Sequence, residues 1–165
     1  AKDRGERGHV AAHLAATLAR TGQKTVLVHL DFRTELVAPG DQVSWPAHGL
    51  AEYLGEAHPD SNPVHVVPGI SHLCEVPPGE SPVHPLPLLT GSRLASLIAE
   101  LQQHYAFIVL DVVAVLEYPD ALHVGRFADT ALLAIQQNSS RAGNLVQAKT
   151  RLSALEIPVF GILTR

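Results

Sequence analysis

The 165-residue sequence contains no methionine and a single cysteine, Cys74. One thiol rules out an internal disulfide framework and any zinc site built on several cysteines. The missing methionine predicts that Ala1 is not the natural start and that the chain is part of a longer one. Aromatic residues are 5% and charged residues 17%, with a net charge of -4. No basic field therefore marks the chain for nucleic acid or anionic lipid. No apolar run approaches the ~20 residues needed to cross a bilayer, and the opening residues do not read as a signal peptide. The 46% of hydrophobic residues suits one cytosolic α/β domain with a core of its own.

Hydrophobic periodicity predicts the elements. In residues 10–21, Val10, Leu14 and Leu18 recur at i, i+4, i+8 with alanines between, which predicts a helix packed closely on a sheet through that face. Gly22 is its expected stop, since glycine tolerates the left-handed cap. Thr25–Leu30 is a continuous apolar run, as expected of a strand covered on both faces. Residues 38–88, rich in proline, glycine and histidine, read as mostly irregular and mobile, with a short helix at Leu50–Leu54 and a weak strand at His72–Val76. Helices are expected at 91–104, 119–126 and 140–155. Strands are expected at Ala106–Leu110, Thr130–Ile135 and Val159–Leu163. Alternating apolar strands and amphipathic helices predict an α/β fold, a doubly wound and mostly parallel sheet with helices on both faces. Val26–Leu30, Ile108–Leu110 and Leu132–Ile135 should be its fully buried strands. Ligands of such sheets sit at the carboxyl ends of the strands, which directs attention to Asp31, Asp111 and the segment before the first helix.

Those segments carry a family resemblance. GERGHVAAHLAATLARTGQKTVLVHLDFR resembles the opening of the deviant-Walker (Mrp/MinD/ParA-like) P-loop NTPases, in particular the bacterial tyrosine kinases (BY-kinases) and chain-length ATPases of exopolysaccharide synthesis. LLTGSRLASLIAELQQHYAFIVLD resembles the helix and Walker B strand of that family. DALHVGRFADTALLAI resembles the family's stretch after the Walker B strand, and RLSALEIPVFGILTR its last helix and strand. The likeness thus covers nearly all of residues 1–165. It implies a single P-loop NTPase-like domain, expected to lack the first strand and the tyrosine-rich C-terminal tail. It also implies ATP and Mg2+ as cofactors where activity or binding is retained, with no cofactor as the alternative. Gly5, Arg7, Gly8, His9 and Arg33 would face the nucleotide, and Asp31 and Asp111 would serve catalysis and the metal.

The departures fall on the chemistry. A P-loop needs a lysine on the β/γ-phosphates and a hydroxyl on Mg2+, and Arg4–His9 offers neither. Arg7 is cationic, but its fork is no equivalent of a lysine point charge. The family's Asp-x-Asp-x-Arg reads His29-Leu30-Asp31-Phe32-Arg33, and imidazole is a poor ligand for Mg2+. Asp111 is retained, but Val112-Val113-Ala114 replaces the Ser/Thr-Pro-Pro that comes next in the family.

Blander roles suit several residues. His9 and His13, at i, i+4, read as packing or surface residues rather than a metal pair. Asp31 and Arg33 could form a structural ion pair as readily as contact a ligand. Glu117, Asp120 and Asp129 read as solvated turn residues, Tyr53, Tyr105 and Tyr118 as packing residues, and Cys74 as a small buried hydrophobe. The expected function is a degenerate, regulatory BY-kinase-like module of exopolysaccharide or capsule export. It would be peripheral to the inner membrane, partnered by a membrane chain-length (co-polymerase) protein and by further copies of itself, and without nucleic acid. The alternatives are an active divergent ATPase or tyrosine kinase using Asp31 and Asp111, and a MinD/ParA-like positioning ATPase.

Overall fold

The computed structural model describes residues 4–33, 49–55, 62–137 and 142–164, residues 4–8 by backbone alone. The elements run α1 (Arg4–Arg20), β1 (Thr25–His29), α2 (Leu50–Leu54), β2 (His65–Val66), β3 (Leu73–Val76), α3 (Pro85–Thr90), α4 (Ser92–His104), β4 (Phe107–Asp111), α5 (Asp120–Gly125), β5 (Ala131–Gln136), α6 (Ala142–Ser153) and β6 (Val159–Thr164). Part of the 38–88 segment expected to be irregular, residues 38–48 and 56–61, lies outside the described residues. Its described part holds α2 where periodicity places it, and also β2 and the start of α3, which periodicity does not reveal.

β1 is an interior strand of a four-stranded sheet ordered β2-β3-β1-β4. It pairs in parallel with β3, Val26 opposite Cys74, and with β4, His29 opposite Asp111. Short β2 adds an antiparallel edge on β3. All five residues of β1 are buried, as a β-branched, apolar strand between two neighbours should be. Alternation sends Val26, Val28 and Leu30 to one face, where they pack with Leu50, Leu54, Leu89, Leu94, Leu97 and Leu101 of α2, α3 and α4. Leu27, Leu73 and Val109 point to the other face and meet α1.

α1 meets that face differently from expectation. Ala11, Ala15 and Ala19 are the buried stripe, and Val10, Leu14 and Leu18 join none of the three apolar clusters. A methyl stripe lets the helix backbone sit close over β1 and β4, whereas a leucine ridge would hold it off. The helix also begins at Arg4, earlier than periodicity suggests. RGERGH contains no proline, and its arginines and glutamate are good helix formers that offset the cost of Gly5 and Gly8.

A second correction concerns the strands expected to be fully buried. Among the described residues β5 and β6 pair only with each other, in parallel from Ala131 opposite Val159 to Gln136 opposite Thr164. β4 is thus the outer strand of one sheet, and β5 has one paired edge. Ile108, Val109 and Leu110 are half-buried and Leu132 is exposed. An apolar run reports a preference for burial, but cannot supply the neighbour that completes it. One face of this pair, with Leu133 and Val159, packs on Ala121, Ala148 and Leu152 of α5 and α6. Leu132 and Phe160, side by side on the opposite face, are exposed.

Candidate functional site

Two of the expected site residues, Asp31 and Asp111, lie together at one end of the first sheet. β1 and β4 are parallel and in register, so their carboxyl ends coincide and His29 lies directly beside Asp111. Asp31 follows one residue beyond Leu30, whose amide still donates to the Asp111 carbonyl at 2.8 Å. All three polar side chains are buried, His29 and Asp31 at 7% exposure and Asp111 at 8%. α1 turns at Gly22, which has φ +86, and runs back against β1. Seventeen helical residues measure about 25 Å, against about 17 Å for the five of β1. The N-terminal turns of α1, with Gly5, Arg7, Gly8 and His9, are thereby directed to the end where Asp31 and Asp111 lie.

The centre of this cluster is His29. Its Nδ1 is 3.6 Å from Oδ2 of Asp111, and its Nε2 is 3.9 Å from Oε2 of Glu75 on β3. Register explains the pairing. Glu75 lies opposite Leu27 and Asp111 opposite His29, so all three side chains share the face covered by α1. The ring spans from one neighbouring strand to the other. Burial pushes the imidazole towards neutrality, but the two carboxylates outweigh it and raise its pKa above 6.5.

Arg33 turns its side chain to Asp120 at the start of α5, and Asp31 adds a weaker electrostatic attraction to it. Its Nε donates to Oδ2 at 2.6 Å, and one terminal nitrogen donates to Oδ1 at 3.1 Å. The guanidinium carbon also lies 4.1 Å from the Tyr118 ring centroid. Asp31 binds the same turn through the backbone, its Oδ1 accepting from the Arg33 amide at 3.0 Å. Asp120, expected to be solvated, is 2% exposed. A fork-to-carboxylate pair is what permits a carboxylate that deep.

The remaining candidates fall outside the cluster. His9 and His13 are exposed on α1, their rings stacked with centroids 6.4 Å apart. Tyr105 packs on the first core cluster beside Cys74, and burial together with the thiol pushes its hydroxyl up to about 12. Cys74 itself is half-buried.

Sequence reasoning misses Glu75 and Asp120. Glu75 has a visible signal, a charge inside the otherwise apolar strand LCEV. Asp120 has none, because its partner is distant in the chain.

The cluster does not suit Mg2+. That ion demands near-octahedral oxygen ligands and usually keeps several waters. Here Asp111 faces an imidazole, Asp31 is engaged with the Arg33 amide, and Arg4–His9 carries no hydroxyl. Among the described residues no group of three or more His, Cys, Asp or Glu side chains is placed to hold a metal.

The chain is 28% identical over 154 residues to "Tyrosine-protein kinase etk" of Escherichia coli (strain K12), covering 93% of this chain and 21% of that protein. It is 27% identical over 161 residues to "Tyrosine-protein kinase wzc" of Salmonella typhimurium, with the same coverage of each. The kinase domain of Escherichia coli tyrosine kinase ETK superposes with a TM-score of 0.81 at 26% identity, over 94% of this chain and 60% of that one. Its relatives are bacterial tyrosine kinases. The fold they share is the deviant-Walker P-loop NTPase fold, found also in the cell division ATPase MinD of Pyrococcus furiosus, with a TM-score of 0.73 at 19% identity over 95% of this chain and 65% of that one. No family model matches the chain. The chain spans about a fifth of the length of these curated tyrosine-kinase relatives. No helix among the described residues is long and apolar enough to cross a membrane.

Proposed function

We propose that the chain is a BY-kinase-like domain of an exopolysaccharide or capsule system that has lost phosphoryl transfer and acts as a regulatory, partner-binding module. The observation that carries this reading is the end of β1, where His29 lies between Asp111 and Glu75 in the place of a metal-serving aspartate. Phosphoryl transfer depends on positioned cations and preorganised donors, and each lost electrostatic donor costs on the order of 10²–10³ in rate. Lysine, hydroxyl and first carboxylate are all replaced, so weak nucleotide binding without turnover is the expected residue of the ancestral activity. The partner is a membrane chain-length protein, beside which the domain works at the cytoplasmic face as one of several copies.

The test is ATP turnover and autophosphorylation of the full-length polypeptide with its membrane partner present. Rates no higher than those of an Asp111→Asn variant support the reading. Turnover that disappears on Asp111→Asn overturns it in favour of an active, divergent kinase.

A further inference from the structure

The family's cofactor does not fit the strand ends, and the manner of the misfit is informative. Several residues could have replaced an aspartate at the end of a buried strand. The one present is a ring whose two nitrogens reach two different carboxylates, Asp111 on β4 and Glu75 on β3. A buried carboxylate needs a compensating partner. In a metal-dependent site that partner is the cation, whereas here a side chain of the central strand supplies it. His29 is 7% exposed and lies near the end of a strand paired on both sides, so its backbone is held between the strands that carry the two carboxylates.

We infer that the His29 imidazole occupies the position of the divalent cation, tying Asp111 and Glu75 together and closing the strand ends to Mg2+. The inference rests on the reading of this cluster as a degenerate phosphoryl-transfer site, but it makes a claim about metal binding that turnover does not test. Asp31 fits the same account, because its Oδ1 already serves the Arg33 amide. The site keeps the aspartate of each strand-end motif, with a ring nitrogen in place of an ion 3.6 Å from Asp111. A single change at His29 should reopen it, since an oxygen ligand would then stand beside Asp111 on the adjacent strand.

The experiment titrates Mn2+ as a paramagnetic probe against the full-length protein and reads the free ion by electron paramagnetic resonance, with Mg2+ as competitor. The wild-type protein is expected to bind no Mn2+ that depends on Asp111 at concentrations up to about 1 mM, a weak limit on the scale of protein cation sites. His29→Asp is expected to gain one site, at least tenfold tighter than any wild-type binding, that Mg2+ displaces and that Asp111→Asn abolishes. Mg2+ should also raise the melting temperature of His29→Asp and leave the wild type unchanged. His29→Asn, smaller and neutral, is the second variant should His29→Asp fail to fold by circular dichroism. Wild-type binding that Asp111→Asn removes overturns the inference. So do folded His29 variants that bind no more Mn2+ than the wild type, and the wild-type titration decides alone if neither variant folds. Mn2+ exclusion together with robust ATP turnover would defeat the reading of lost catalysis and leave this inference standing.

Discussion

At the scale of single residues, the strand-end cluster makes stability depend on pH in a definite direction. His29 is held above its ordinary pKa of 6.5 by Asp111 and Glu75, against the effect of burial. Its contribution is therefore fully present below pH 6.5 and is lost as pH rises through the folded-state pKa. Urea midpoints should fall as the pH rises above 6.5, and His29→Asn should flatten the fall. The Arg33–Asp120 pair gives a second expectation. Arg33→Ala leaves a carboxylate of 2% exposure without its fork, at a cost of about 2–3 kcal/mol in denaturant unfolding, below the full buried-pair figure because Arg33 is partly exposed. Arg33→Lys should recover only part, since an ammonium cannot match both oxygens. Asp31 and Asp111 are legible in the sequence because each ends an apolar strand, and strand ends are where such sheets place chemistry. The clamp is not legible, because Arg33 and Asp120 are 87 residues apart and no local pattern connects them.

At the scale of elements, β1, β4, β5, β6 and the amphipathic α4 are legible because burial imposes a period on their residues. The seat of α1 is not, because two stripes share the helical period and periodicity alone cannot say which one faces the sheet. Alanine wins by size. Ala15 is fully buried, so Ala15→Leu should lift α1 from β1 and β4 and cost about 1–3 kcal/mol by overpacking. The opposite change on the other stripe, Leu14→Ala, should cost less, as Leu14 joins no cluster. A comparison of thermal midpoints checks both. The edge of β5 that is unpaired among the described residues also has consequences. Apolar edges without charge or proline invite pairing with other chains. Residues 1–165 taken alone should associate as concentration rises, and Leu132→Lys, at an exposed position beside Phe160, should reduce that association in sedimentation velocity.

At the scale of the whole molecule, the α/β class follows from alternating elements, but the division into a four-stranded sheet and a two-stranded pair does not. Local pattern specifies strands and leaves their partners to topology. That topology also orders events in time. β1 is made before its pairing partners, which begin at Leu73 and Phe107. Its most apolar stretch must therefore wait on the ribosome until much later sequence emerges, because non-local parallel pairing cannot form by local contacts. A nascent chain arrested with Phe107–Asp111 still inside the exit tunnel should be protease-sensitive and bound by chaperones. One arrested about 40 residues later, beyond the length the tunnel conceals, should resist the protease and release them. The interior position of β1 thus sets the point in translation before which the domain has no stable fold to offer.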